Sequence, residues 1–315
     1  MSGYIVRRLF LAALTVLGVS FLVFAAVRWL PGNRVDVLLS TGTNSGPGAR
    51  AKVEHELGFD RPFLEQYGRW LGDVATGHLG KSLVNGQSLA FYIKKGLPVS
   101  IELGLISLLF GIVFGVSIGI ASAVWQDTWI DYLLRSFAIF LLAIPGFLIA
   151  VVVIVLASRF WNWNPPITYI PLTRDPLHNL GQFLLPGVIL GFSSAAALMR
   201  FTRTAMLDVL RQDYIRTARS KGLHERGVVL RHGLRNSLIP IISVVGVFLA
   251  YIVGGTVIFE SIFQLPGIGR FLFEEVNVRD YPGVQDISLI FAVVVVLTNL
   301  ATDIVYTWVD PRVHA

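Results

Sequence analysis

The sequence predicts an all-α integral membrane protein with six transmembrane helices, a large external segment after the first helix, and an amphipathic cytoplasmic helix between the fourth and the fifth. Three observations carry this reading. Of the 315 residues, 54% are hydrophobic and only 15% are charged, which leaves too little polar surface for an ordinary soluble protein. Six segments approach the roughly 20 apolar residues a helix needs to cross a hydrocarbon core about 30 Å thick while satisfying its own backbone hydrogen bonds. Lys and Arg residues crowd into one short loop, as they do on the cytoplasmic side of a membrane.

The spans run, in order, over residues 9–27, 103–124, 136–158, 180–199, 237–259 and 287–309. The first five hold no Asp, Glu, Lys or Arg, and the sixth holds only Asp303. Residues 9–27 follow Arg7 and Arg8 as a signal peptide would, but the apolar run is longer than the usual signal core of about 7–15 residues, so it reads as an uncleaved helix. Residues 1–8 precede it and 28–98 form the external segment. Within that segment the Gly/Ser/Asn/Thr-rich stretch 40–48 reads as flexible loop and the mixed pattern over 51–71 as a small ordered cap. The other five spans make a five-helix transmembrane core over 99–309 that contains the basic loop 200–236, and 310–315 is a short tail.

Inside the spans, Pro145-Gly146, Pro186-Gly187, Pro240 and Gly254-Gly255 can loosen or kink a helix, and are candidate hinges with helix packing as the alternative. Asp303 has two readings. An ionisable residue in a span is a functional candidate by default, and one near a helix end can also snorkel to the interface or pair with an arginine.

Charge sets the orientation. The loop carries Arg200, Arg203, Arg211, Arg216, Arg219, Lys221, Arg226, Arg231 and Arg235 against Asp208, Asp213 and Glu225, so it belongs on the cytoplasmic side, and six spans then put both termini there. The external segment has its own basic residues, but long loops weigh little in this rule. Because the basic clustering lies beside membrane spans, the net charge of +6 points to membrane lipid and not to nucleic acid. With no cysteine, disulfides, thiolate metal sites and cysteine nucleophiles are excluded.

Two enzyme motifs fail on context. Gly115-Val116-Ser117-Ile118-Gly119 fits a nucleophile elbow, but that motif needs a strand-to-helix turn and a nearby base, and no histidine falls within a span. The same glycines form Gly111-x-x-x-Gly115-x-x-x-Gly119, a small-residue stripe for close helix packing. Gly77-His78-Leu79-Gly80-Lys81-Ser82 ends like a P-loop, but Ala75 stands where the first glycine is required. His224 and His232 lie among arginines, a poor setting for metal ligation.

The informative stretch is the loop. Over 202–223, Met206, Leu210, Tyr214 and Ala218 recur at i+4 on one face, with Arg203, Asp208, Arg211, Arg216 and Arg219 largely elsewhere, until Gly222 interrupts the helix. Such a helix can dock in a partner's groove or lie on anionic lipid.

Here the sequence becomes recognisable. Arg216-Thr217-Ala218-Arg219-Ser220-Lys221-Gly222-Leu223, preceded by Leu210-Arg211-Gln212-Asp213-Tyr214, resembles the EAA motif of ABC importer permeases in its dipeptide/oligopeptide form, with Arg216-Thr217-Ala218 in place of Glu-Ala-Ala. Tyr4-Ile5-Val6-Arg7-Arg8-Leu9, Leu57-Gly58-Phe59-Asp60-Arg61-Pro62, Gly77 to Ser82, Arg279-Asp280-Tyr281-Pro282 and Asp310-Pro311-Arg312 resemble the same family, and the large external segment and the N-terminal pattern resemble its B-type permease. Asn33, where Asp is common, and Leu265, where an aromatic residue is frequent, depart from it.

The resemblance implies a type I ABC importer permease fold in a bacterial or archaeal cytoplasmic membrane. It implies a non-catalytic subunit with no cofactor of its own, since ATP and Mg are bound by partners. Those partners are a second homologous permease, two ABC ATPase subunits and an extracytoplasmic solute-binding protein that delivers peptide. Arg216, Thr217, Ala218, Arg219, Lys221, Gly222 and Leu223 would couple to the ATPases, and Pro266, Gly267 and Gly269 would meet the binding protein. Relatives that carry nickel complexes, glutathione or oligosaccharides share the same loop. An intramembrane hydrolase, which would need Ser117, and a stand-alone channel or receptor are the readings from other classes.

Overall fold

A computed structural model describes residues 2–29, 48–56, 58, 60–82, 84, 86–252 and 254–309. Asn33, Leu57, Phe59, most of the stretch 40–48 and the tail 310–315 lie outside the described residues. The chain divides into two compact units, residues 1–99 with 266–297, and residues 100–265 with 298–315.

The first unit holds α1 (Ser2–Trp29), α2 (Ala49–Glu56), α3 (Phe63–Ala75), the start of α4 (Leu89–Val124), α12 (Ile268–Asn277) and most of α13 (Tyr281–Val309). Phe63, Tyr67 and Trp70 recur at i, i+4 and i+7, so they share one face of α3. All three close on the fully buried Phe24 of α1, with ring centroids 5.2, 5.5 and 5.6 Å away. The Trp70 Nε1 donates to Asp286 Oδ1 of α13 at 2.8 Å. This is why residues 266–297, which the sequence assigns to the later core, group with the N-terminal part. Gly96 reinforces the grouping: a Cβ there would lie 2.8 Å from the Ile268 nitrogen, so only glycine allows the two backbones to approach.

The second unit holds the rest of α4, α5 (Trp129–Ala143), α6 (Gly146–Trp161), α7 (Pro176–Leu210), α8 (Asp213–Ser220), α9 (Glu225–Gly227), a π-helical turn (Val228–Leu234), α10 (Arg235–Ala250), a 3-10 turn (Gly254–Thr256) and α11 (Val257–Ile262). Helix α7 is its axis. It starts on a built cap, with Pro176 in the first turn and the Asp175 side chain accepting from the His178 backbone N–H at 3.2 Å. On α4 the glycine stripe does what its spacing predicts. A Cβ on Gly111 would meet Ser194 Oγ at 2.4 Å, on Gly115 the Ala195 carbonyl oxygen at 2.6 Å, and on Gly119 the Thr202 Cβ at 2.6 Å. Against α5, α7 packs Ala196 and Met199 on Ala138 and Leu141.

Five described helices are long and apolar enough to cross a membrane, and six if the bent pair α5 and α6 is one span. That pair corrects the third expected span. It is not one continuous helix over 136–158 but two, bent by 93° at a break that holds Ile144 and Pro145. The fifth span is also shifted. Its helical run starts at Glu225, passes through the π turn and ends at Ala250, short of the expected residue 259. Gly254 and Gly255 sit in the 3-10 turn beyond it, a break in the helix and not a bend within it. Pro186 and Gly187, by contrast, lie in uninterrupted α7, where a Cβ on Gly187 would come 2.6 Å from Ile106 Cγ2. That glycine lets α7 approach α4 closely.

Candidate functional site

The basic loop folds as a short helix on a seat. The sequence reads 202–222 as one helix, but α7 stops at Leu210 and Gln212 is extended (φ −72°, ψ 150°) before α8 begins at Asp213. The break re-aims the side chains. Ile215 (0% exposed) and Ala218 (7%) become the buried pair and pack on Val228 and Leu210, whereas Tyr214, expected on the apolar face, is turned outward at 45% exposed. Arg216, Thr217, Arg219, Lys221, Gly222 and Leu223 are exposed too, so the segment that resembles the EAA motif is an open surface carried on two buried anchors.

Its end is a Schellman motif. The Gly222 N–H donates to the Arg219 carbonyl at 2.9 Å and the Leu223 N–H to the Ala218 carbonyl at 3.4 Å, with Gly222 at φ +74°. Nothing lies within 4 Å of where its Cβ would be, so glycine is required by backbone conformation and not by crowding within the chain. Beyond the turn, Arg219 forks onto Glu225, Nη2 to Oε1 at 2.7 Å and Nε to Oε2 at 3.2 Å. The hydrogen bonds to that carboxylate raise the already high Arg219 pKa further. Arg216 has a looser contact to Asp213 at 3.5 Å, with both side chains largely exposed; such a pair contributes little.

The seat is tied to the spans. Val229 of the π turn packs with Met206 of α7 and Ala123 of α4. Nearby, Arg203 of α7 makes two parallel hydrogen bonds to the fully buried Asp131 of α5, Nε to Oδ1 at 2.9 Å and Nη2 to Oδ2 at 2.7 Å, and Ser122 of α4 donates to the same carboxylate. Bidentate geometry with extra donors is what makes a buried ion pair tolerable. Sequence reading passed over Asp131, whose partner is 72 residues away and leaves no local pattern.

The first unit carries a separate polar cluster. Asp280 accepts from Ser82 Oγ and from the Val84 N–H, and it hydrogen-bonds the Glu275 carboxyl. Burial first, then the Asp280 charge, pushes the Glu275 pKa up to about 8. Gly283 makes room for it: a Cβ there would lie 2.5 Å from Glu275 Oε2. So the false P-loop serine is a tether for the start of α13. Of the turn expected to meet a binding protein, Pro266 is half-buried and Gly267 and Gly269 are buried, so these positions offer little free surface. Ser117 is exposed on α4, and Asp303 is half-buried on α13.

Comparison with known proteins adds the family. The "Binding-protein-dependent transport system inner membrane component" family matches residues 106–315, and the corresponding N-terminal family matches residues 1–104. A peptide transport system permease of Brucella suis biovar 1 is 36% identical over 314 residues, covering 100% of this chain and 99% of that protein. The dipeptide transport system permease DppB of Alkalihalophilus pseudofirmus is 36% identical over 334 residues, covering 99% of each. The glutathione transport system permease GsiC of Escherichia coli K12 is 33% identical over 318 residues, covering 100% of this chain and 99% of that protein. Among solved structures, the MetNI methionine ABC transporter in an inward-facing conformation has the same fold, with a TM-score of 0.54 at 17% identity, covering 70% of this chain and 97% of that one. The chain belongs to the family of inner membrane components of binding-protein-dependent transport systems.

Proposed function

We propose that this chain is the permease subunit of an ATP-driven importer of di- and oligopeptides, half of a heteromeric pathway. The observation that carries the reading is the exposed helix α8, ended by the αL turn at Gly222 and seated by Ile215 and Ala218 on the span ends. An amphipathic helix held outside the bilayer by two anchors, with its arginines on the exposed side, fits a groove on a partner. In this reading Arg216, Thr217, Ala218, Arg219, Lys221, Gly222 and Leu223 engage two ATPase subunits on the cytoplasmic side, where ATP and Mg are bound. A second permease completes the pathway, and a solute-binding protein delivers peptide on the other side. Both termini and residues 200–236 are cytoplasmic, and residues 28–98 external. Relatives that bear peptide names across the full chain support the substrate; a relative named for glutathione makes that tripeptide the second reading.

The test is purification of the tagged protein in mild detergent with identification of what accompanies it, followed by ATP-driven uptake in proteoliposomes. Co-purification of two ATPases and a second permease, with uptake of dialanine or trialanine when the binding protein is present, is the expected result. A chain that purifies alone and passes solute without ATP would overturn it. Uptake of glutathione but of neither alanine peptide would select the second reading.

A further inference from the structure

The helical run from Glu225 to Ala250 passes through the π turn, and its burial follows that winding. Val228, Gly233, Ser237 and Ile241 are buried. They form a row spaced by five residues across the π turn and by four beyond it, because a π turn closes on i+5 where an α-helix closes on i+4. The same spacing on the other side of the run gives Arg226, Arg231, Arg235 and Ile239, and all four are exposed. In an unbroken α-helix two residues five apart are not neighbours on one face. The π turn lines Arg226 up with the other two.

These arginines have no ion pair among the described residues. The acid next to them in sequence, Glu225, is spent on Arg219 at 2.7 Å, while Asp213 lies beside Arg216 and Asp131 beside Arg203. Three cations thus stand in a row with nothing of their own chain to neutralise them. Apolar side chains continue the surface. Leu230 lies between the first two arginines, and Leu238 and Ile239 follow the third; they are 55%, 37% and 43% exposed. One turn further, Ser243 donates its hydroxyl to the Ile239 carbonyl at 3.0 Å, which spends its only donor within the helix.

We infer that this row is a binding site for an anionic phospholipid, its phosphate held by Arg231 and Arg235 with Arg226 beside them, and its acyl chain laid along Leu238 and Ile239. The order of the side chains carries the inference. Charge passes to hydrocarbon within one turn at the end of a membrane span, and a phospholipid joins the two in that order. An acidic protein surface would meet the arginines and leave the leucines and isoleucine in water, and a neighbouring apolar span would cover those and leave three guanidinium groups unmatched. The guanidinium fork also fits phosphate oxygens. The site goes beyond the proposed function, since it concerns neither the solute nor the ATPases. It has a mechanical consequence for them. Val228 and Val229, on the inner side of the same turn, belong to the seat of α8, so a headgroup held on the outer side grips the element that α8 must move.

The experiment uses the purified protein with its co-purifying subunits, reconstituted in vesicles of phosphatidylcholine mixed equally with phosphatidylglycerol. A trace of either lipid carries a photoactivatable diazirine in its acyl chain, and labelled positions are located by mass spectrometry. The expected result is that phosphatidylglycerol labels residues 236–247 at least tenfold more than phosphatidylcholine does. This preference should shrink as salt is raised, vanish when Arg226→Gln, Arg231→Gln and Arg235→Gln are combined, and be partly kept when the same three become lysine. Equal labelling by the two lipids in the wild type, or a preference unchanged in the glutamine variant, overturns the inference. So does the absence of label from either lipid on this helix, which would assign the face to a protein neighbour. If the glutamine variant does not assemble, the comparison of the two lipids on the wild type and its response to salt decide.

Discussion

Glycine at position 222 can be required for two physically different reasons, and a substitution series separates them. The residue sits at φ +74° with open space around the position of a Cβ. Alanine therefore meets no clash within the chain, and its cost is the left-handed backbone alone, about 1–2 kcal/mol. That is a factor of about 5–30 in the population of the turn. Asparagine tolerates this conformation and should be close to neutral, whereas valine, branched at Cβ, should be worse than alanine. The assay is binding of the purified ATPase pair to the reconstituted permease by surface plasmon resonance. The expected order is glycine, asparagine, alanine, valine, with alanine weaker than wild type by about 5–30-fold, the same factor. If asparagine is as damaging as valine, the conformational argument is wrong, and glycine is needed because a partner's backbone lies where the side chain would go.

Two further outcomes follow from close packing and from a buried acid. Gly115→Ala places a Cβ 2.6 Å from the Ala195 carbonyl, and overpacking of this kind costs about 1–3 kcal/mol; the purified complex should lose thermal stability, while Gly18→Ala, with nothing within 4 Å, should not. Glu275 has a folded-state pKa raised from 4.5 to about 8, so the folded state holds its proton more tightly than the unfolded state, and the stability this contributes is complete below about pH 4.5 and is lost as pH rises to about 8. The apparent Tm of the wild type should therefore fall across that window, and Glu275→Gln should flatten the fall; an unchanged slope would show that the carboxyl is ionised in the folded protein.

What could be read from sequence was what is periodic or local. Apolar runs located the spans, the four-residue spacing of Gly111, Gly115 and Gly119 identified a packing face, and Gly222 marked a helix end. The misses have a common physical origin in features that hydropathy does not record. The proline at 145 ends α5 with a bend of 93° although residues 136–158 are uniformly apolar, because the missing N–H and not polarity breaks the helix. Helix α4 begins at Leu89, well before the expected start at 103, since Lys94, Lys95 and Glu102 stop an apolar count without stopping a helix. Tyr214 was given to the wrong face because a two-residue break between α7 and α8 resets the angular phase. Asp131 with Arg203, and Trp70 with Asp286, are long-range pairs, and no window of sequence contains both members.

The seat beneath α8 explains how a pull on a helix of eight residues could be felt in the spans. Its buried side chains, Ile215 and Ala218, meet Val228, and the next residue of the same turn, Val229, meets Met206 and Ala123. A displacement of α8 must either open these contacts or carry the π turn with it, and close-packed apolar interfaces resist opening because every lost contact exposes area to water. The π turn is continuous with α10, so motion taken up there passes into the fifth span. Met206 and Ala123 place the ends of the fourth and second spans in the same cluster, and the Arg203 fork on Asp131 adds the third through α5. An ion pair suits that last joint better than an apolar contact would, since two parallel hydrogen bonds fix direction as well as distance. Four spans thus meet at one small seat in this unit, and the helix that sits on it exposes all its remaining side chains. Such an arrangement gives a docked partner one handle on several spans, and needs no chemistry in this chain to work it.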